Sequence, residues 1–304
     1  MLINDGLPFH SRDAQEHFAS PRQFTEARRL GRIRWVVRSV AIDASVPDST
    51  IVRAQAARLV IPEHAIASDH YAAFVLGADT KPPGRRWELR PSYLVLHDRY
   101  RSTSKCAIVR QTTNLPEADV VELEGLRLTA PLRTAADLLR LGRRPYALAA
   151  ADALAHAKVI DEDDLCAYVM QLRRLRGLPQ AQELAPRVNH LAESHGESWQ
   201  RCRILDVGFP CPALQHPVTD SFGVVRRLDM AYEEVRAAAE YDGREFHTVT
   251  TDRSADQSRR EDLSYLGGWR FSLGTYERVF GTSPALDYEL GAYLGLEPRP
   301  RTWY

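Results

Sequence analysis

The stretch RRLDMAYEEVRAAAEYDGREFH, Arg226 to His247, gathers Asp229, Glu240, Asp242 and His247 inside a segment that alternates like two β-strands. Carboxylates are kept in sheets only when paired, hydrogen-bonded or bound to a cation. With Glu233 and Glu234 as a two-residue loop, Tyr232 pairs with Val235 and Asp229 falls opposite Ala238. Asp229, Glu240 and Asp242 then share one face, while Met230, Ala237, Ala239 and Tyr241 occupy the other and can pack against a helix. The loop lacks the Gly or Asn that tight hairpins favour, so a one-residue slip would separate the acids. A hard divalent cation, Mg²⁺ or alternatively Mn²⁺, relieves repulsion among such oxygens. His247, just past the strand, has the pKa of a general acid or base near neutrality. This is the equipment of phosphodiester hydrolysis. The competing explanation is a charged hairpin face in water, with His247 an ordinary surface residue.

Around this hairpin, residues from about Asn189 to Tyr304 read as helix (GESWQRCRILDVG), two strands, helix (TDRSADQSRREDLSYLG), strand (WRFSLG) and helix, an α/β pattern. Arg253, Arg259 and Arg260 on the second helix can hold phosphates or pair with Asp256 and neighbouring acids, and spacing leaves both open. The segments LDMAY, EYDGREFH, LGGWRFSLGTYERV and GESWQRCRILDVGFPCPALQHPV make this region resemble the very-short-patch-repair type of endonuclease, within the PD-(D/E)XK restriction-endonuclease-like superfamily. That resemblance implies catalytic roles for Asp229, Glu240, Asp242, His247 and Glu197. Asp229 would be the central metal-binding aspartate, Asp242 a second active-site acid, His247 the histidine that assists hydrolysis and Glu197 the helix-borne acid completing the site. Two departures stand out. Asp242 replaces the lysine of the general motif, and Arg244 stands where the repair enzyme has a structural zinc cysteine.

At the other end, SRDAQEHFA and SPRQFTEARRLG read as two short helices with Ser11 and Ser20 as caps, followed by a strand RIRWVVRSVAI. This pattern predicts a winged helix-turn-helix over residues 1–45. Between Arg22 and Arg38 six arginines face Glu26 alone. Arg22, Gln23, Arg28, Arg29 and Arg32 are therefore candidates for DNA contact, with a solvated helix face as the plainer alternative. FTEARRLGRIRWVVRSVAI, DHYAAFVLGAD and RLTAPLRTAADLLR make the first half resemble abortive-infection type IV antitoxins, which implies DNA binding through the N-terminal module.

Between these ends, 46–172 reads as a mixed α/β middle domain, 173–188 as a polar, proline-containing linker and 189–304 as the nuclease-like domain. The fold class expected is α/β, α+β over the whole chain. The 304 residues carry forty basic and forty acidic side chains, so attraction to phosphate must be local. Cys106, Cys166, Cys202 and Cys211 lack metal-ligand spacing, and no zinc is expected. No apolar run suits a membrane span and the N-terminus lacks a signal-peptide pattern, which points to a cytoplasmic protein with DNA as partner. A dimer would cut both strands and a monomer would nick; sequence leaves both open, along with a partner from a neighbouring gene. The expected function is a metal-dependent DNA endonuclease or nickase carried to DNA by the winged helix, in a setting such as phage defence. Its rival is a DNA-binding regulator whose nuclease fold is silent.

Overall fold

A computed structural model describes residues 3–82, 89–96, 107–112, 115–243, 260–265, 267–301 and 303. It is a mixed α/β structure with three sheets. The chain divides into two compact units, one of Met1–Lys81, Arg86–Leu138 and Ala157–Arg173, the other of Pro82–Arg85, Leu139–His156 and Arg174–Tyr304. No described helix is long and apolar enough to cross a membrane.

The first unit opens with a short strand β1 (Phe9–His10), a 3-10 helix (Ser11–Glu16) and helix α1 (Pro21–Arg29). Ser20 caps α1 by accepting the Gln23 amide, and Pro21 occupies the first turn, where its missing N–H costs nothing. At the first helix the expected cap shifts by one residue: His10, not Ser11, precedes it, and His10 Nδ1 accepts the Arg12 N–H. The single wing strand expected from RIRWVVRSVAI is a hairpin of β2 (Ile33–Val37) and β3 (Val40–Asp43), turning through Ser39 at φ 65°. The strands order β1-β3-β2, antiparallel throughout.

A five-stranded sheet follows, ordered β6-β5-β4-β8-β7, from β4 (Ile66–Ala67), β5 (Ser92–Leu96), β6 (Ile108–Thr112), β7 (Val120–Leu123) and β8 (Leu126–Thr129). VVELEGLRLT, which reads from sequence as a strand, is a hairpin too, turning at Glu124 and Gly125, both with positive φ. Helices α2 (Thr50–Arg58) and α3 (Asp69–Val75) cover it. Val37 and Val40 share one apolar core with Ala54, Ala57, Tyr71 and Leu128, so the N-terminal hairpin and the middle region are packed as one body.

Helix α4 (Pro131–Leu141) leads to α5 (Arg144–His156), α6 (Glu162–Gln171), α7 (Leu178–Leu184) and α8 (His195–Asp206). The segment 173–188, expected as a linker, therefore contains a helix, with Leu178, Ala181 and Leu184 buried. Its apolar spacing was masked by the prolines and arginines around it. In the second unit, α5 packs on α8.

The last sheet is ordered β12-β11-β10-β9, built from β9 (Ala213–Thr219), β10 (Val225–Tyr232), β11 (Ala237–Tyr241) and β12 (Arg270–Gly274). The first three strands run as an antiparallel meander, and β12 joins β11 in parallel. Met230, Tyr232, Ala237 and Ala239 pack against Ile204, Val207 and Phe209 and against Leu290 of α10 (Ala285–Leu294), which follows the short α9 (Tyr276–Phe280). Leu228, Ala231 and Ala238 pack with Leu263 and Trp269 in a separate cluster.

Candidate functional site

Helix α1 is the most exposed helix face of the N-terminal module. Among its residues only Ala27 is buried and Phe24 half-buried, leaving Arg22, Gln23, Arg28 and Arg29 exposed, with Arg32 just beyond. Phe24 fixes the helix to the small sheet, packing edge-on against Phe18 and Trp35. The five candidates are not equivalent. Arg29 closes a bidentate pair with Glu26 at 2.6 and 3.0 Å, which offsets its charge. Gln23 Oε1 accepts the Ala19 N–H at 3.0 Å and is tied into the helix start. Arg22 and Arg28 present the helix's cationic surface, an arrangement suited to phosphate, whereas the Asp43 carboxyl is held below its ordinary pKa by the Ser45 hydroxyl and, in part, by the charge of Arg32 beyond the helix.

The carboxylate hairpin departs from the expected register. Glu233–Val235 form a 3-10 turn and Arg236 takes φ 46°, so the loop spans four residues and Tyr232 pairs with Ala237. Ala238 pairs with Ala231 and Met230 with Ala239, two residues out from the expected register, so Ala238 does not stand opposite Asp229. A regular strand shifted by two would keep each side chain on its face, but Leu228 packs with Ala231 and Ala238, which breaks the alternation beside Asp229. The loop lengthened because no residue in Glu233–Arg236 readily supplies the two positive φ values of a tight type I′ turn.

Donors surround these acids. Asp229 Oδ2 accepts the Tyr241 N–H at 3.2 Å. Glu240 is buried and its Oε2 accepts from Arg260 at 3.2 Å. Asp242 donates its backbone N–H to the Gly274 carbonyl, securing the end of β11 to β12. Glu197 sits in the first turn of α8, where Ser194 Oγ accepts its N–H and its Oε2 takes the Glu193 N–H at 3.1 Å and the Gln215 amide at 3.2 Å. Burial raises the Glu197 pKa above the ordinary carboxylate value, against the pull of those hydrogen bonds.

Gln215 is the residue that sequence reasoning missed. It stands at φ 49°, where the β9–β10 ladder passes from His216↔Leu228 to Leu214↔Met230, so it lies at the level of Asp229. A glutamine inside ALQHPV carries no signal of this. Arg260 was expected on phosphate or on Asp256, whereas it bonds Glu240. His247, Arg253 and Arg259 lie outside the described residues. Among the described residues no group of three or more His, Cys, Asp or Glu side chains is arranged to hold a metal ion.

Helix α8 brings two arginines inside. Arg201 meets Asp152 at 2.5 Å with both side chains almost fully buried, and Arg203 pairs with Asp287 at 2.5 and 2.7 Å. Asp206, at its end, accepts from Arg144, Arg187 and Trp303. Burial works to raise the Asp206 pKa, but the hydrogen bonds from Arg144 and Trp303 outweigh it and hold the group below its usual value.

Residues 66–187 match the AbiEi antitoxin C-terminal domain. Two proteins of Mycobacterium tuberculosis described as uncharacterized, MT2308 of strain CDC 1551 / Oshkosh and Rv2248 of strain ATCC 25618 / H37Rv, are each 32% identical over 213 residues, 67% of this chain and 72% of theirs. The crystal structure of RV2827C protein from Mycobacterium tuberculosis aligns with a TM-score of 0.31 at 13% identity, over 71% of this chain and 84% of that one, too distant a likeness to carry an argument.

Proposed function

From the premise that the chain belongs to one family with these two mycobacterial proteins, and carries an AbiEi antitoxin-type domain, we propose that it is a DNA-binding, antitoxin-like protein. The observation that carries this reading is helix α1, which buries little more than Ala27 and offers Arg22 and Arg28 outward, with Arg32 behind them. We read the 3-10 helix, α1 and the β2–β3 hairpin as a winged helix-turn-helix, with α1 docking on phosphate and base edges. A toxin from a neighbouring gene is the partner this reading implies. The test is fluorescence anisotropy with duplex DNA from upstream of the gene, across a salt series. Replacing both Arg22 and Arg28 by Ala should weaken binding at least about tenfold and reduce the salt slope by about two phosphates. Salt-insensitive binding, or binding that ignores both substitutions, sinks the assignment.

A second reading rests on the second unit. Asp229 on β10 accepts the Tyr241 N–H of β11, and Glu197 is joined to Gln215 on β9. In a restriction-endonuclease-like fold these acids, with Asp242 and His247, would serve a Mg²⁺- or Mn²⁺-dependent endonuclease or nickase. These carboxylates fit an ion poorly, because Glu240 accepts from Arg260 and Glu197 from two N–H donors. Supercoiled plasmid incubated with Mg²⁺, Mn²⁺ or EDTA separates the readings. Metal-dependent nicking abolished by Asp229→Ala would establish the enzyme, and intact plasmid in every lane would leave the fold as a scaffold.

A further inference from the structure

A cavity of about 660 Å³ lies within the first unit, between the β2–β3 hairpin and helix α3. That volume falls inside the roughly 300–1,000 Å³ range of small-molecule sites. Trp35 and Phe74 supply aromatic surface, with Val36 and Leu89 as further apolar wall. Trp35 remains 43% exposed although it belongs to a core-forming strand, so its ring is open to a ligand. Phe74 is held in place, because the Arg53 guanidinium lies 4.5 Å from its ring centroid and donates to its carbonyl at 2.9 Å.

The charged groups of the wall are already engaged. Arg53 pairs with Asp48 at 2.5 Å. Asp79 Oδ1 accepts the Lys81 backbone N–H at 3.0 Å, which keeps a carboxylate beside the lysine. Arg38 has an interaction of its own within the protein. His70 Nδ1 lies 2.8 Å from Thr80 Oγ1. An ionic ligand would therefore shed its hydration without gaining a counter-charge, whereas a neutral one loses little on entry. The polar groups still on offer are the hydroxyls of Ser11 and Ser39, which bond nothing among the described residues. The Ser11 N–H donates to the Ser39 carbonyl at 2.8 Å, so the two residues enter the wall side by side. Each hydroxyl can donate or accept.

We propose that this cavity binds a neutral, planar aromatic molecule of bicyclic to tricyclic size, its rings against Trp35 and Phe74 and a hydrogen-bonding group at Ser11 and Ser39. Trp35 makes the site consequential, because its ring meets that of Phe24 edge-on, with centroids 6.3 Å apart, and Phe24 is the residue that anchors α1. A ligand against Trp35 acts on the helix carrying Arg22 and Arg28. This second consequence rests on the DNA-binding reading; occupancy of the cavity does not.

The experiment titrates the full chain with neutral N-phenyl-1-naphthylamine, read by the rise in its emission, and with 8-anilinonaphthalene-1-sulfonate, which adds one sulfonate to the same ring system. One saturable site for the neutral probe is expected, with an affinity at least about tenfold above that for the anion, a difference of roughly 1.4 kcal/mol. Trp35→Leu should weaken the neutral probe at least about tenfold and Trp35→Phe should restore most of the loss, with circular dichroism confirming that both variants fold. Ser11→Ala combined with Ser39→Ala should weaken it at least about threefold. Lys81→Gln should leave it within about twofold, since charge plays no part in its recognition. Phe222→Ala, which removes an 83% exposed ring elsewhere, should change nothing. Absence of a saturable site, equal or tighter binding of the anion, indifference to both the Trp35→Leu and the paired serine substitutions, or loss on Lys81→Gln or Phe222→Ala each overturns the proposal. A gel shift with and without the neutral probe is read separately. If the probe binds and DNA does not, the cavity stands and the DNA reading falls; salt-sensitive DNA binding without probe binding removes the cavity alone.

Discussion

Glu197 shows how far one buried carboxylate shapes the second unit. Its pKa is raised by burial, so the folded state holds its proton to higher pH than the unfolded chain does. Between the unfolded value and the raised one the native state binds more protons, and stability therefore falls as pH rises through that window. Glu197→Gln should remove this slope and raise Tm at neutral pH while matching the parent under acid conditions, as a Tm series from pH 4 to 8 would read out. A Gln oxygen can still accept the Glu193 N–H, so a loss of Tm at pH 7 would count against burial as the cause. The Arg201–Asp152 pair makes the opposite case. Asp152→Asn leaves the Arg201 charge buried without its counter-ion and should cost about 3–5 kcal/mol, measured as a shift in urea midpoint. The acids of the hairpin were legible as residues needing partners, and each has one: Asp229 accepts the Tyr241 N–H and Glu240 accepts from Arg260. Asp152 was not legible, since an aspartate within PYALAAADALAHAKV gives no hint of an arginine arriving from the next helix but two.

Elements meet here through small residues. A Cβ on Gly196 would come within 2.1 Å of the Tyr241 ring, so α8 approaches the end of β11 only because that position is bare. Gly196→Ala should cost about 2–3 kcal/mol and displace Glu197 from Gln215, seen as lower Tm together with loss of the Glu197-linked pH slope. At α1 the effect is smaller and local. Ser20→Ala removes the cap accepting the Gln23 amide and should cost about 1 kcal/mol, again by urea midpoint. Helices and strands were broadly readable from their periodicity, including α1 with its serine cap. Turn chemistry was harder to read. Ser39, Glu124, Gln215 and Arg236 all take positive φ, and nothing in a serine, glutamate, glutamine or arginine announces it, so two hairpins looked like single strands and the carboxylate loop looked too short. Helix α8 was readable as a helix but not as a buried one, because Arg201 and Arg203 disguise its interior faces.

Across the whole molecule the chain passes from the first unit into the second at Leu139, near the end of α4, returns for 157–173 and leaves again. The stretch 189–304, which reads from sequence as a domain in itself, lacks α5 and with it Asp152, Ala149 and Tyr146, which pack around Arg201 and Trp199. Expressed alone it should be insoluble or lack a cooperative melt, whereas a fragment from 139 to 304 should recover folding of the second unit, compared by near-UV circular dichroism. A cooperative melt from 189–304 would show that α5 is dispensable. Composition could not reveal this interleaving, since contacts between residues dozens of positions apart leave no local pattern. The same threading bears on descent. A single recombination breakpoint anywhere between 139 and 173 would hand one daughter gene a unit missing a segment, so the cationic N-terminal module and the carboxylate sheet are expected to be inherited as one block instead of being shuffled among unrelated genes.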